Sequence, residues 1–158
     1  KRVYLGSQEQ AIDFYTKLGF TPFGDEFMEA GIVHLSMEKA LEIIQEPFAG
    51  SISRMGGTMI DILNEHTAEG IDYNWSVLME QQIKDFVYTH HLSAMIQLHK
   101  VACKTTTCQV SGFEKDKRAW SIVFDELREQ EWYVFRSTSG TIGESEEYGT
   151  YFFEMLKR

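Results

Sequence analysis

Two cysteines are the first residues of this chain whose type and spacing could do chemistry. Cys103 and Cys108 flank the four residues KTTT, a spacing that favours a hairpin. The two side chains would then be cross-strand neighbours, with Val101 opposite Val110, at a separation that suits a disulfide. Reduced thiols are the alternative expected in a cytoplasmic protein, and a redox function is a third. Zinc would need two further ligands, and no second cysteine pair supplies them.

Histidines are the other residues that could bind a metal. His90 and His91 are adjacent, and on a helix their side chains would point about 100° apart, which is a poor arrangement for sharing one ion. His66 and His99 are remote from them in sequence. We therefore predict no metal site, and we interpret His90 and His91 as residues at a helix C-terminus, where positive charge is favourable.

Apolar periodicity predicts the elements of the first forty residues. The residues at helical spacing are Ala11, Phe14, Tyr15 and Leu18. Ser7 is a candidate N-cap of this helix, and Gly19 would end it. We expect a short strand over 20–23, a loop over 25–30 and a second strand over 32–37, which residues 41–44 could extend. On its apolar stripe, Tyr15 is ordinarily a core residue.

The remainder of the chain predicts a second unit after a linker. Proline and glycines punctuate the stretch after Glu46, so we interpret 46–70 as a linker. Residues 71–158 then alternate between helical and strand patterns. The predicted elements are helices near 75–90 and 120–127, strands over 95–103, 108–113, 132–137 and 148–155, and a polar loop over 139–149. The order α-β-β-α-β-β predicts the α+β class, with helices on one face of an antiparallel sheet.

Composition excludes several classes of function. The 158 residues are 43% hydrophobic and 25% charged, with a formal net charge of −9. Such a globular, acidic chain is a poor candidate for nonspecific binding to nucleic acid or to an anionic membrane, because both need clustered Lys and Arg. No apolar run approaches the roughly 20 residues of a membrane-spanning helix. We therefore expect a cytoplasmic protein with neither nucleic acid nor membrane as partner.

Two short motifs near the N-terminus resemble the C-terminal end of a GNAT-family N-acetyltransferase. The stretch Ala11-x-x-Phe14-Tyr15-x-x-Leu18-Gly19-Phe20 is similar to the family's "A-x-x-FY-x-x-LGF" helix and strand. The stretch from Phe27 to Met37 resembles the closing strand of a bacterial subgroup, "F-x-E-x-GI-x-H-x-x-M". The motifs stand in the family's order and cover about 40 of the 158 residues. The later cysteine hairpin resembles one in small bacterial α+β domains of unassigned role.

The resemblance implies acetyl transfer from acetyl-CoA to an amine. In the family this helix lies beside the coenzyme A arm, which implies cofactor contacts for Phe14 and Gln8, although Gln8 stands where the family usually has Asn. A tyrosine at the position of Tyr15 often protonates the leaving thiolate. Such a proton donor is typically worth about 10²- to 10⁴-fold in rate. His34 is matched by the closing strand and is a candidate for the acceptor side.

The family's phosphate-binding loop, "[RQ]-x-x-G-x-[GA]", has no counterpart before Ala11. The later Arg54-Met-Gly56-Gly57 lacks its spacing. We therefore expect acetyl-CoA to bind only together with an upstream part, and this chain alone to be inactive. The predicted division is a partial GNAT segment over 1–45, the linker over 46–70 and an accessory α+β domain over 71–158. The apolar face of the short N-terminal segment predicts a homodimer. A noncatalytic, dimeric binding or regulatory module is the alternative function.

Overall fold

A computed structural model describes residues 2–17, 20–40 and 44–158 of the chain. Its N-terminal part forms a small sheet with one short helix. The elements are β1 (Arg2–Gln8), a 3-10 turn (Glu9–Ala11), α1 (Ile12–Lys17), β2 (Thr21–Glu29) and β3 (Ile32–Ala40). Within the described residues these strands form an antiparallel three-stranded sheet in the order β1-β3-β2. Helix α1 contacts β1 and β2.

Strand β1 corrects the expectation of one helix and two strands in this part. Ser7 was expected to cap the helix, but it is buried inside β1, where its hydroxyl donates to the carbonyl oxygen of Gln8 at 3.0 Å. The chain instead turns at Glu9, without a side-chain cap. The reason for the difference is that β1 gains its partners from β3, far along the chain. Leu18 and Gly19, expected to end the helix, lie outside the described residues.

Strand β2 is longer than expected because it contains an irregularity. Its pairing with β3 shifts register between Phe23 and Phe27, where a loop was expected over 25–30. Gly24 has a φ of +73°, a conformation that glycine adopts without steric cost. The strand therefore bends at this bulge and then resumes its pairing with β3.

The second part confirms the predicted order α-β-β-α-β-β and with it the α+β class. Its elements are α2 (Phe48–Ile52), α3 (Thr58–Ala68), α4 (Tyr73–Thr89), β4 (Ile96–Cys103), β5 (Thr107–Glu114), α5 (Ala119–Arg128), β6 (Ser137–Ser145) and β7 (Gly149–Lys157). In the described chain these strands form an antiparallel four-stranded sheet in the order β4-β5-β7-β6. Asp72 caps α4 through its carboxylate, which accepts from the backbone N–H of Asn74 and Trp75.

Helices cover both faces of this second sheet, where one covered face was expected. Phe152 and Leu156 of β7 pack in a cluster with residues of α4 and α5. Their neighbours Tyr151 and Phe153 pack on the other face, against α2 and α3. Strand β7 has apolar residues at both its even and its odd positions, which is the pattern of a strand buried on both faces. Residues 46–70, expected to be a linker, thus carry two packed helices; residues 41–43 lie outside the described chain.

Strand β6 corrects a second expectation. Residues 139–149 were expected to form a loop, and a strand was expected over 132–137. The strand instead begins at Ser137, and Gly140 and Gly143 are part of it. A Cβ at Gly140 would lie 1.7 Å from the carboxylate of Glu154, so the glycine leaves room for a side chain of β7 that crosses the strand. Glycine therefore marks close approach here and not a turn.

Candidate functional site

The first sheet brings two of the predicted site residues together. Gln8 on β1 and His34 on β3 are paired across the strands, and paired residues project from the same face. Phe27 of β2 pairs with His34 from the other side, and the two rings stack with centroids 5.6 Å apart. His34 therefore lies in the middle strand between an amide and an aromatic ring, and it is nearly buried.

The hydrogen bonds of His34 determine which of its ring nitrogens can act on another molecule. Nδ1 lies 3.0 Å from the carbonyl oxygen of Ile32, and because a carbonyl only accepts, Nδ1 carries the proton. In the neutral ring Nε2 is then the acceptor. Nε2 is 3.9 Å from a carboxylate oxygen of Glu29, which is itself well exposed. The edge of the ring that faces Glu29 is the part of His34 suited to receive a hydrogen bond.

The other two predicted site residues, Phe14 and Tyr15, lie on helix α1. Phe14 is 60% exposed, and its ring meets that of Tyr15 edge to face at 5.2 Å. On its other side Tyr15 contacts Phe20 at 5.9 Å, and the Phe20 N–H donates to the Tyr15 carbonyl oxygen. Tyr15 is half-buried, and its hydroxyl is not among the buried polar atoms of the described chain that lack a partner. The rings of Phe14 and Phe20 therefore both contact a half-buried phenol.

The two pairs form separate groups. Among the described residues, no hydrogen bond or ring contact joins Gln8 or His34 to Phe14 or Tyr15. The amide of Gln8 instead accepts from Gln10 at 2.9 Å. Helix α1 has six residues and carries Asp13 in its first turn, so its N-terminus does not suit phosphate groups.

His90 and His91 were expected to lie on a helix with their side chains about 100° apart. The two rings instead lie close together, because the helix ends at Thr89. His90 follows the last residue of α4 in an extended conformation, and the two rings are 4.3 Å apart. Together with Glu126 they form a group whose potential ligand atoms lie within 4.8 Å of one another. However, Nδ1 of His90 accepts from the N–H of Leu92 at 3.1 Å, so Nε2 is protonated and donates to Glu126 at 3.0 Å. A metal ion would have to replace both hydrogen bonds.

The cysteine hairpin has the predicted pairing and contains a disulfide. Cys103 pairs with Cys108, Val101 pairs with Val110, and a disulfide joins the two cysteines. Both cysteines are buried, so the bond belongs to the core of the second part. Glu69 binds the turn of this hairpin by accepting from the backbone N–H groups of Thr105 and Thr106.

Two buried acids of the second part were missed in the sequence. Burial raises the pKa of Glu154 to about 7, although its carboxylate accepts from the indole N–H of Trp120 at 3.3 Å. Glu114 is 5% exposed and accepts from the backbone N–H of Trp120 at 2.8 Å. Burial likewise raises the pKa of the nearby Tyr133 to about 12. The available signal was an acid inside the apolar run YFFEML.

Comparison with known proteins finds a similarity for the N-terminal segment only. Residues 1–41 match a family model described as an acetyltransferase (GNAT) domain, which confirms the recognition made from the two motifs. The match includes the whole first sheet. No curated protein and no solved structure matches the chain. No helix in the described ranges combines the length and the apolar character that crossing a membrane requires.

Proposed function

We propose that the first sheet and α1 form part of the catalytic surface of an N-acetyltransferase that uses acetyl-CoA and an amine. The match of residues 1–41 to the acetyltransferase family carries this proposal. Two features support it: the half-buried Tyr15 contacts the rings of Phe14 and Phe20, and Gln8 is paired with His34. Residues 46–158 act as an accessory unit in this proposal.

The chemistry assigned to the segment is proton donation. Acetyl-CoA, when bound, supplies an activated acetyl group as a thioester. The nitrogen of a neutral amine would form the new C–N bond while the C–S bond breaks, and the hydroxyl of Tyr15 would give its proton to the leaving sulfur. The amine nitrogen would lose one proton to water, and a proton from water would restore the Tyr15 hydroxyl. Phe14, exposed beside Tyr15, offers apolar surface to the arm of the cofactor. The amide of Gln8 forms a hydrogen bond with the same arm in this proposal. His34 contributes Nε2 as an acceptor on the side of the amine.

Phosphate binding is the part of the reaction that these residues do not explain. Because α1 is short and carries Asp13 in its first turn, we assign the pyrophosphate contacts to elements outside this chain. We therefore expect the chain alone to bind acetyl-CoA weakly and to turn it over slowly. Calorimetry of the chain with acetyl-CoA tests this point, and micromolar affinity would contradict it.

A thiol-release assay on the complete gene product tests the activity. Acetyl-CoA is mixed with one amine at a time from a panel of spermidine, lysine and tryptamine, and free coenzyme A is measured. We expect release that depends on both the enzyme and one class of amine. If no amine increases release above the rate with acetyl-CoA alone, the catalytic proposal loses its support and the noncatalytic module becomes the better account.

That alternative has one specific observation in its favour. Four residues on one side of the first sheet are exposed and apolar, and we call them the aromatic face: Tyr4, Phe23, Phe27 and Ile32. The rings of Tyr4 and Phe23 meet edge to face at 5.8 Å. An exposed apolar patch of this kind is typical of an interaction site. A second copy of the chain is the partner we propose for this face in the noncatalytic function, because the face also carries Gln8 and His34.

A further inference from the structure

A cleft in the second part opens where β5 ends and β6 turns into β7. It has a volume of about 650 Å³, and its lining residues fall between 97 and 150. Glu114 of β5 and Glu144 of β6 flank Thr150 of β7, because both are paired with it in the sheet. The cleft is thus built on three adjacent strands, and its lining includes none of residues 1–41.

Glu114 is the unusual residue of this cleft. One carboxylate oxygen, Oε2, accepts from the N–H of Trp120 at the start of α5. The other, Oε1, is buried and has no hydrogen-bond partner among the described residues. Leaving a buried charged acceptor without a donor is unfavourable. Glu114 also lines an adjoining cleft of about 290 Å³, so it contributes to both spaces.

The charges of the cleft favour a cation. Three carboxylates line it, those of Glu114, Glu144 and Glu147, against one ammonium group, that of Lys115. Lys117 pairs with Glu144 at 2.7 Å from the neighbouring cleft. This pairing leaves two carboxylates, those of Glu114 and Glu147, against the ammonium group of Lys115, so the lining keeps an excess of one negative charge, which attracts a cation and repels an anion.

Two aromatic rings of the lining indicate what kind of cation fits. Phe113 and Tyr148 both contribute to the wall, and Tyr148 is 41% exposed. Aromatic faces attract ammonium groups and pack against apolar carbon. A hydrated inorganic ion would make no use of an aromatic ring, whereas an organic amine would use the exposed ring of Tyr148 and the carboxylates together.

We propose that this cleft binds a small organic ammonium ion, a primary amine on a short apolar or aromatic body, with its N–H groups directed to Glu114. The proposal does not depend on acetyl transfer, because the cleft and the first sheet share no residue and binding needs no acetyl-CoA.

Calorimetric titration with phenethylamine tests the proposal. The controls are 2-phenylethanol and 3-phenylpropionate, which carry nearly the same body with a neutral or a negative head group, and magnesium ion. We expect phenethylamine to bind with a dissociation constant on the order of 1 mM or tighter for a ligand of this size. We expect no measurable binding of the two controls or of magnesium. Equal binding of the alcohol, tighter binding of magnesium, or no binding of the amine would overturn the proposal.

Variants locate the site. Glu114→Gln keeps an oxygen that can accept from Trp120 but removes the charge, and we expect it to weaken amine binding about tenfold, as for the loss of a charge-assisted hydrogen bond. Glu147→Gln changes an exposed residue that is safe for folding, and it should weaken binding about threefold, as for a partly screened charge. Glu146→Gln removes a charge one residue away, outside the lining, and should change nothing. If Glu114→Gln does not fold, Glu147→Gln decides; a Glu147 variant indistinguishable from Glu146→Gln contradicts the proposal.

Discussion

At the scale of single residues, Glu154 is an acid that the fold places among apolar side chains. It lies on the side of β7 that carries Phe152 and Leu156, which belong to the core with α4 and α5. Its carboxylate crosses β6 at Gly140. Burial raises its pKa from 4.5 to about 7, against the opposing effect of the Trp120 hydrogen bond. The folded protein therefore binds a proton that the unfolded chain releases at lower pH.

This difference makes stability fall as the pH rises. Because the folded pKa lies above the unfolded value, the stabilising contribution is full below pH 4.5 and is lost as the pH passes about 7. The loss amounts to about 3 kcal/mol at most. Glu154→Gln stays neutral, so its free energy of unfolding in urea should lack this decline and exceed that of the natural protein at pH 8. Glu146→Gln, at an exposed turn residue, is the control. A parallel decline in Glu154→Gln would contradict the burial of charge.

Among single residues, those with local signals were predicted and those with long-range partners were not. The pairing of Cys103 with Cys108 follows from a four-residue turn and is confirmed. The roles of Tyr15, Gln8, Phe14 and His34 stay predictions. The position of Glu154 inside the apolar run YFFEML was a local signal of its burial. Gly140 and Trp120, which accommodate its carboxylate, belong to other elements and could not be predicted from that run.

At the scale of elements, Gly112 of β5 leaves room for the ring of Phe152, its partner on β7, to lie against the strand. A Cβ at this position would lie 2.5 Å from the backbone oxygen of Gln97 and 2.6 Å from the ring of Phe152. With this space open, Phe152 stacks on Trp120 with ring centroids 3.8 Å apart. The neighbouring backbone cannot move without disturbing the pairing of β4 with β5.

Gly112→Ala should therefore destabilise the protein by about 1–3 kcal/mol, as for overpacking of a core. Urea unfolding followed by tryptophan fluorescence measures this change. Gly56→Ala is the matched control, because a Cβ at that exposed glycine meets nothing within 4 Å, and it should change the free energy of unfolding by less than about 1 kcal/mol. Equal effects of the two substitutions would contradict the close approach of Gly112 to Gln97 and Phe152.

The disulfide of the β4–β5 hairpin makes a second prediction at this scale. A disulfide that closes a loop of four intervening residues lowers the conformational entropy of the unfolded chain, which stabilises the folded protein by about 2 kcal/mol. Reduction should lower the free energy of unfolding by that amount, and the double variant Cys103→Ala/Cys108→Ala should not respond to reductant. A thiol titration of protein purified without reductant should find no free thiol after denaturation. Two titratable thiols would contradict the disulfide.

Each element that was predicted correctly has either a strong apolar periodicity of its own or a short turn to its pairing partner. Helices α4 and α5 and the β4–β5 hairpin are of this kind, and they are confirmed. Strand β1 was missed because its partner β3 begins only at Ile32. Strand β6 was missed because its residues, STSGTIGES, are polar and glycine-rich. Helices α2 and α3 were read as a linker because Pro47 and several glycines interrupt them, while the apolar residues that pack them on β7 are few.

At the scale of the whole molecule, the described residues form two antiparallel sheets with different surroundings. The second sheet is covered on both faces, whereas the first leaves its aromatic face exposed. The α+β class could be predicted from the succession of elements. The coverage of both faces of the second sheet could not, because the helices α2 and α3 were not recognised. The division into a partial acetyltransferase segment and an accessory domain stays a prediction.

The exposed aromatic face predicts a homodimer. Burying apolar area from two copies would remove these side chains from water. Light scattering coupled to gel filtration at micromolar concentration should therefore give a dimer. Phe23→Asp should shift it to a monomer, whereas Tyr88→Asp, at an exposed aromatic residue on α4, should not. A monomeric natural protein would contradict the prediction.

The turnover of Tyr15→Phe in the complete gene product tests the central claim most directly. This substitution removes the proton donor and keeps the ring that packs between Phe14 and Phe20. We predict that kcat for acetyl transfer falls about 10²-fold or more, while KM for acetyl-CoA and the free energy of unfolding stay unchanged. Tyr73→Phe, at an exposed residue of α4, should leave kcat unaltered. A Tyr15→Phe enzyme with the kcat of the natural protein would contradict the assignment of this segment to catalysis.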